Sequence, residues 1–432
     1  MLTKITQFVE QHLAGPMEKL GSQRHLRAIR DGIVATLPLI IVSSFFMIVA
    51  FPPIPQDWGL YQFLSSNAAT ILLPYRMTMF IMSLYAAFGI GHSLAHSYKL
   101  DELSGGILAA IAFLLTFTPI NIAPEAAEVA GVSGFVLPMT YLGGGGMFVC
   151  IVTSILAVEI YRLTDKSKFK IKMPEQVPPS VARSFEALSP TLIIILGMSV
   201  ITYFLGFDWH TFMAKLIGPV VTAADSLPSV LLLVFLITFF WSFGIHGVSI
   251  IGSIARPLWL QLLEGNTTAL ADGKDLPNIA AEPFYQWFIW IGGSGCTIGL
   301  AILLAFYCKS EYASKLGKTA FLPSVFNINE PIIFGTPIVL NPVLIIPFIV
   351  APVVSATIAW GATSLGLVNK VTVTAPWTLP GPIGAFLATG GDWRAAVLNV
   401  LLILLSIVIY YPFVVIYDKD QLEKEKGEPV TE

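Results

Sequence analysis

One carboxylate and two amides stand close together in an otherwise apolar stretch. Residues 326–337 read FNINEPIIFGTP, with Asn327, Asn329 and Glu330 as the clustered polar side chains. The two prolines of this stretch deny it regular helical pairing, and its amides and carboxylate suit a ligand rich in hydroxyl groups. We therefore predict that Glu330 lies in a cavity with apolar surroundings. A purely structural hairpin, with Glu330 neutral or bonded to backbone, is the alternative interpretation.

A histidine flanked by glycines is the second candidate. His246 lies between Gly244 and Gly247 in the apolar sequence WSFGIHGVS. Glycine permits sharp turns, so this pattern predicts a break between two helices with the imidazole directed into a cavity. We assign His246 and Gly247 to the same predicted site as Glu330. A histidine that merely caps a helix end would give the same pattern.

Trp377 is the third candidate, in the Pro- and Gly-rich sequence TAPWTLPGPIG at 374–384. Regular helix is excluded there, and the indole could stack on the apolar face of a pyranose ring. A tryptophan that anchors a helix at the membrane interface is the alternative. His92 and His96 have the spacing of a metal pair, but no third ligand is evident, so we predict no metal site. The sequence also lacks a nucleotide-binding lysine motif, and no cofactor is expected.

Composition indicates the elements that must position these residues. The chain has 432 residues, of which 55% are hydrophobic and 12% charged, with a mean hydropathy of +0.77, whereas soluble domains carry about 25% charged residues. Apolar runs of about 20 residues cross a bilayer as helices. We therefore predict an all-α polytopic membrane protein with about ten transmembrane helices. The predicted spans are 31–51, 74–96, 104–121, 142–161, 188–206, 227–245, 247–264, 284–307, 341–362 and 393–417.

The predicted site lies in the second of two membrane halves. Residues 1–187 form the first half, which ends in a lysine-rich loop and an amphipathic linker around 181–188. Residues 188–432 form the second half, with a re-entrant hairpin at 319–337 and a tight break at His246. Irregular backbone at membrane depth survives only where protein buries it or where it lines a wet cavity. The hairpin is therefore expected to be part of a binding site.

Basic residues predict the orientation, because cytoplasmic loops hold most Lys and Arg. The predicted inside segments 1–30, 97–103, 162–187, 308–318 and 417–432 carry 18 of the 24 basic residues, and the outside segments carry 3. Both termini are therefore predicted to be cytoplasmic. The net charge of −3 argues against a nucleic-acid partner. The three cysteines form no CxxC pair, and we expect them to be small buried residues.

The motifs together resemble a known family. The sequence Asn329-Glu330-Pro331-Ile332-Ile333-Phe334-Gly335 after a Lys-rich loop is similar to the signature of enzyme IIC, the membrane component of the bacterial phosphoenolpyruvate:sugar phosphotransferase system (PTS). The sequences GIHG at 244–247 and PWTLPGP at 376–382 also match its lactose/cellobiose/diacetylchitobiose branch. The resemblance covers nearly the whole chain.

The resemblance implies a permease in the bacterial cell membrane that takes in a disaccharide of cellobiose or diacetylchitobiose type. It implies a homodimer with its contact in the N-terminal half and the sugar in the C-terminal half. Glu330 and His246 would contact the sugar and serve its phosphorylation, with Asn329, Asn327, Gly247 and Trp377 around it.

The resemblance also implies a phosphorylated partner, enzyme IIB, which enzyme IIA charges upstream. The chain would then be catalytic only together with enzyme IIB, to which it presents the 6-hydroxyl of the sugar. An ion-coupled secondary sugar transporter, in which Glu330 or His246 carries the coupling proton, is the alternative.

Overall fold

The computed structural model describes residues 23–426, except 53, 56, 124–130, 132, 170, 172, 173, 175, 178–184, 337 and 340. Most of the amphipathic linker predicted around 181–188 lies outside the described residues. The described residues are mostly helical and divide into two compact units. The first unit comprises Ser22–Ser43 and Leu73–Val221. The second unit includes Ser44–Leu72 and Thr222–Glu432. This division differs from the predicted halves, whose boundary at 187 falls inside the first unit.

The elements of the first part of the chain are short helices, one hairpin and several apolar helices. In chain order they are α1 (Arg24–Val34), α2 (Leu37–Ala50), α3 (Gly59–Ser66), α4 (Ala68–Ile71), α5 (Leu73–Arg76), a 3₁₀ turn (Met79–Ile81), α6 (Met82–Ser97), α7 (Glu102–Leu114), β1 (Ile120–Ile122), β2 (Gly134–Val136), a 3₁₀ turn (Gly144–Gly146), α8 (Met147–Asp165), α9 (Leu188–Ser199), a π-helical turn (Val200–Phe204) and α10 (Trp209–Ala224).

The remaining elements are helices. They are α11 (Leu227–Ser242), α12 (Gly247–Ala271), α13 (Glu282–Phe288), α14 (Ile298–Phe306), α15 (Glu311–Val325), α16 (Glu330–Gly335), α17 (Pro342–Ser364), α18 (Gly381–Ala388) and α19 (Trp393–Lys426). The prediction that 374–384 contains no regular helix was wrong for its last residues, because Pro382 lies in the first turn of α18, where proline is tolerated. The predicted hairpin at 319–337 thus consists of the end of α15, a turn and the short helix α16. Pro337 itself is not among the described residues.

The described residues contain five helices that are long and apolar enough to cross a membrane, or six if one bent pair counts as a single span. The five are Arg24–Ala50, Leu73–Ser97, Gly144–Asp165, Val343–Ser364 and Trp393–Lys426, and the bent pair joins Leu188–Phe204 to Trp209–Ala224 at 83°. Helices α7 and α11 are apolar but shorter. The mostly helical architecture with several apolar helices therefore agrees in outline with the prediction, while the count of about ten spans stays a prediction.

Two predicted spans differ locally from the observed structure. The span predicted at 104–121 ends as a helix at Leu114, and residues 120–122 instead form β1, which pairs antiparallel with β2. The span predicted at 284–307 is interrupted between α13 and α14 by a loop that contains Gly292, Gly293 and Gly295. All three glycines have positive φ, which excludes continuous helix there because right-handed helices require negative φ.

Small residues bring the helices of the first unit into close contact. A Cβ atom added to Gly91 of α6 would lie 2.4 Å from the carbonyl oxygen of Gly105 of α7. A Cβ added to Gly105 would lie 2.3 Å from the Cβ of Ala95. Backbones approach this closely where small residues face each other, as is common between membrane helices. The α6–α7 contact therefore depends on these glycines.

We predict that Gly91→Ala lowers the melting temperature of the purified protein, because the added methyl group overpacks the α6–α7 contact at a cost of about 1–3 kcal/mol. The measurement is thermal unfolding in detergent or nanodiscs. Gly197→Ala in α9 is the matched control, because nothing lies within 4 Å of the position that its Cβ would occupy, and it should stabilise the helix slightly. Equal melting temperatures for the two variants would contradict the packing argument.

Candidate functional site

Asn327 joins three irregular segments of the second unit. It has φ of 63° and is 8% exposed, and asparagine tolerates this left-handed conformation better than most residues. Its Oδ1 accepts a hydrogen bond from the backbone N–H of Gly292 at 2.8 Å. Its Nδ2 donates to the carbonyl oxygens of Trp377 at 2.7 Å and Leu379 at 3.0 Å. The loop before α14, the turn before α16 and the Trp377 segment are therefore fastened together.

Asn329 makes a second connection to the same loop. Its Nδ2 donates to the carbonyl oxygen of Ser294 at 2.8 Å and to Thr297 Oγ1 at 3.1 Å. A Cβ atom on Gly293 would lie 2.3 Å from Asn329 Cγ, and φ of Gly293 is 100°. Only glycine fits there for both reasons. We call this arrangement the asparagine clasp. It consists of the loop 289–297, the turn 326–329 and the segment 377–379, which the two amides join.

Both N–H groups of each clasp amide are used inside the protein. The sequence predicted that Asn327 and Asn329 would contact a substrate directly. The structure instead gives their donors carbonyl and hydroxyl acceptors in the clasp, and both side chains are buried. Satisfied buried amides fix a local structure. Their observed contacts are therefore those of residues that position the neighbouring Glu330 and Trp377.

Glu330 differs from its two amide neighbours. It occupies the first turn of α16 and is exposed, whereas the sequence predicted apolar surroundings for it. The polar amides, and not the acid, fill the buried positions of the turn. Within the described residues, no hydrogen bond or ion pair involves the Glu330 side chain. Its carboxylate is therefore accessible to a ligand, and the alternative of a carboxyl bonded to backbone does not apply to this structure.

His246 lies at the start of α12, and it is exposed. Its Nδ1 accepts from the backbone N–H of Ser249 at 3.2 Å, as in a helix N-cap. The capping alternative is therefore observed. Because Nδ1 is an acceptor, a neutral ring carries its proton on Nε2. The imidazole packs at 4.4 Å from the ring of Trp241, which lies 6.3 Å from the ring of Phe334 in α16. His246 and the Glu330 helix thus share one aromatic neighbour.

The other two predicted residues contribute in different ways. Gly247 is buried, and a Cβ there would lie 2.0 Å from the carbonyl oxygen of Ile237. It therefore permits close packing of α12 on α11 rather than contact with a ligand. Trp377 has a side chain that is 49% exposed, while the clasp holds its carbonyl oxygen. Its indole is thus held near the turn with a face available for stacking.

An ion pair in the same unit was not predicted as part of the site. Arg256 of α12 donates from Nε at 3.0 Å and from Nη2 at 2.8 Å to Glu282 Oε1 at the start of α13. The side chains are 14% and 23% exposed. The sequence does mark Arg256 as unusual, because it is a charged residue in a predicted span and such residues are usually functional or paired. What sequence could not reveal is the identity of its partner.

The two histidines considered as a metal pair contact an acid instead. In the first unit, His92 Nε2 lies 3.2 Å from Glu102 Oε2 and His96 Nδ1 lies 2.5 Å from Glu102 Oε1. Among the residues with described positions, no group of three or more His, Cys, Asp or Glu could hold a metal ion. Cys150 and Cys296 are buried, Cys308 is half-buried, and all three are free thiols.

Comparison with known proteins identifies the family. The family described as "Phosphotransferase system, EIIC" matches residues 30–352. The chain is 38% identical to the cellobiose-specific EIIC component of the PTS of Geobacillus stearothermophilus, over 99% of this chain and 97% of the relative. It is 37% identical to the lichenan permease IIC component of Bacillus subtilis (strain 168), over 98% and 96%.

A solved structure of similar sequence has the same fold. The crystal structure of the transporter ChbC, the IIC component of the N,N'-diacetylchitobiose-specific PTS, superimposes with a TM-score of 0.89 at 36% identity. The alignment covers 98% of this chain and 100% of that chain. The resemblance inferred from the Asn329–Gly335 motif is therefore confirmed over nearly the full length. The chain belongs to the EIIC family of membrane components of the bacterial phosphotransferase system.

Proposed function

We propose that the chain carries a β-linked disaccharide of cellobiose or diacetylchitobiose type into the cell and presents its 6-hydroxyl for phosphorylation. Support comes from relatives whose names specify cellobiose and diacetylchitobiose. The observation that carries the proposal is the contrast within one turn: Asn327 and Asn329 are buried and bonded, while Glu330 beside them is exposed. A preorganised frame with one accessible acceptor suits a hydroxyl-rich ligand.

Each residue of the site then has a distinct part. The Glu330 carboxylate accepts a hydrogen bond from the sugar 6-hydroxyl, and such bonds to a charged group contribute about 1.5–3 kcal/mol. The indole of Trp377 stacks on the apolar face of a sugar ring, and His246 donates to a further hydroxyl from Nε2. Asn327 and Asn329 act indirectly, because they fix the turn and the Trp377 segment.

Phosphorylation requires a partner that supplies the phosphoryl group. In the proposed reaction, the S–P bond of the phosphocysteine of enzyme IIB breaks and a bond forms between phosphorus and the sugar 6-oxygen. The hydroxyl proton passes to Glu330, which acts as general base. Glu330 then passes this proton to solvent and is again a carboxylate, which repels a product that carries about two negative charges and so favours its release.

The membrane arrangement is part of the same proposal. We propose about ten spans with both termini cytoplasmic, supported by the excess of basic residues in the predicted inside segments. Helices α15 and α16 would form the re-entrant hairpin, consistent with the short length of α16 and its irregular flanks. The chain would act as a homodimer, and enzyme IIB, charged by enzyme IIA, would dock on the basic inside loops.

The first prediction from the proposed function concerns Glu330. Glu330→Gln should lower IIB-dependent phosphorylation of cellobiose at least 100-fold, because an amide cannot accept the hydroxyl proton, and should weaken sugar binding about 10-fold or more. The assay combines purified protein, phosphorylated enzyme IIB and labelled sugar. Glu311→Gln is the matched control, because Glu311 is an exposed acid in the first turn of the neighbouring helix α15. Normal phosphorylation by Glu330→Gln would refute the proposed role.

Uptake driven by a proton gradient without enzyme IIB would indicate an ion-coupled transporter.

The second prediction separates the two roles of His246. His246→Asn should keep the helix cap, since asparagine is a good N-cap residue, but should remove the donor on Nε2. We expect the melting temperature to change little while the dissociation constant for the sugar rises about 5- to 10-fold, the equivalent of one hydrogen bond. His246→Ala should lower both stability and affinity. Unchanged affinity in His246→Asn, measured by calorimetry, would leave His246 only a structural role.

The third prediction tests the asparagine clasp. Asn327→Asp keeps an acceptor for the Gly292 N–H but places an oxygen opposite the carbonyl groups of Trp377 and Leu379. We expect a loss of about 2–4 kcal/mol in stability, because buried donors are replaced by repelling acceptors, together with weaker sugar binding. The control is Asn67→Asp, because Asn67 also donates from Nδ2 to a carbonyl oxygen, that of Phe63, but at an exposed position. Similar melting temperatures for the two variants would show that the clasp does not stabilise the unit.

A further inference from the structure

The second unit contains a cavity that the proposed site does not use. Its volume is about 360 Å³, within the range of about 300–1,000 Å³ that is typical of small-molecule sites. Its walls include Phe51 and Tyr61 near the start of the unit, Leu270 at the end of α12, and Asn369, Thr372 and Gly390 from the segments before and after α18. All of its lining residues belong to the second unit.

Buried amides hold the walls of this cavity in place. Asn266 is fully buried, and its Nδ2 donates to the carbonyl oxygens of Asn278 at 2.8 Å and Val371 at 2.9 Å. Its Oδ1 accepts from the N–H of Asn278 at 2.8 Å. Lys370 Nζ donates to the carbonyl oxygen of Leu276 at 2.6 Å. These hydrogen bonds connect the segments around 278 and 371 to α12, and a wall that is already ordered lowers the entropy cost of binding a ligand.

A charged cluster holds the same segment, residues 369–371, from its other end. Asp392 is 7% exposed and accepts from the backbone N–H of Asn369 at 2.8 Å, and from Arg394 N–H at 3.0 Å and Nε at 2.9 Å. Burial alone would raise the pKa of Asp392, but these hydrogen bonds outweigh it and lower the pKa below its usual value. Asp392 is therefore ionised at neutral pH, and the brace persists.

The lining is uncharged and amphipathic. Among the described residues that line it, none is an Asp, Glu, Lys, Arg or His. Apolar side chains such as Phe51 and Leu270 share the surface with the hydroxyls of Tyr61 and Thr372 and the amide of Asn369. A phosphate or an ion would lose its hydration on such a surface, which is costly, and the nearby cations Lys370 and Arg394 are already paired with a carbonyl oxygen and with Asp392. It suits a neutral molecule that has both an apolar face and hydroxyl groups, as a sugar ring does.

The cavity and His246 lie at opposite ends of α12. His246 caps the first turn of α12, and Leu270 is next to the last residue of this 25-residue helix. At 1.5 Å per residue, a straight helix would separate the two positions by about 35 Å. A ligand in the cavity therefore cannot contact His246 at the same time.

We propose that this cavity is a second, weaker carbohydrate site, which takes an uncharged sugar ring and discriminates against the phosphorylated product. The inference rests on the proposed function, because it assumes the same class of substrate. A site at the far end of α12 would hold the sugar before it reaches Glu330. Its affinity should be low, because no ionised side chain strengthens its hydrogen bonds.

The test measures cellobiose binding in the full-length Glu330→Gln protein by saturation-transfer NMR. Weak millimolar binding should persist in this background. Adding Ile54→Trp, which fills the cavity from a half-buried lining position, should reduce the weak millimolar component at least 5-fold and leave any tighter binding that remains at the Glu330→Gln site unchanged. The matched control is Leu60→Trp, because Leu60 is 57% exposed and adjacent to Tyr61 but does not line the cavity. It should leave the signal unchanged.

Three results would overturn the proposal of a second site. The first is no residual binding in folded Glu330→Gln protein, and the second is equal residual binding with and without Ile54→Trp. The third is displacement of the sugar by a short fatty acid but not by excess cellobiose. Cellobiose 6-phosphate should compete poorly, and effective competition would also contradict the proposal. Failure of the proposed function looks different, because Glu330→Gln would then bind and support phosphorylation as the wild-type protein does.

Discussion

Irregular backbone inside an apolar structure must find a partner for every N–H and C=O group, because an unpaired polar group there costs several kcal/mol. The asparagine clasp meets this requirement at the point where three non-helical segments converge. Asn327 and Asn329 pair with one N–H, three carbonyl oxygens and one hydroxyl from the loop before α14 and the Trp377 segment. The local shape of the candidate site depends on these amides more than on regular secondary structure.

This constraint explains why one residue of the motif is buried while the next is exposed. Asn329 is 4% exposed, whereas Glu330, the next residue, is exposed. The amides can be buried because they are neutral and each has acceptors within reach. A carboxylate in the same position would lose its hydration and face carbonyl oxygens, so it remains outside. The motif thus separates a structural pair from an accessible acid, and the acid is the residue that can serve a ligand.

Sequence reasoning located the polar positions but not their partners. The irregular segments could be predicted from the sequence, because polar residues, prolines and closely spaced glycines are uncommon in apolar runs. The segments were indicated by the spacing of Asn327, Asn329 and Glu330 and by the glycines around His246. The partners of Asn327 lie 35 and 50 residues away in the chain, and no local pattern encodes such a distance. The same holds for the break before α14, where Gly293 has to be glycine because of Asn329.

Helix α12 connects the features that local motifs could not relate. It begins at the His246 cap, carries Arg256 near its middle and ends at the wall of the second cavity. The Arg256–Glu282 pair fixes α13 on this helix, and α13 leads directly into the loop that Asn327 and Asn329 hold. A partly buried ion pair is a weak source of stability but specifies one arrangement of its elements. His246 and the asparagine clasp are therefore linked through α12 and α13 by contacts of named side chains, which no local sequence motif encodes.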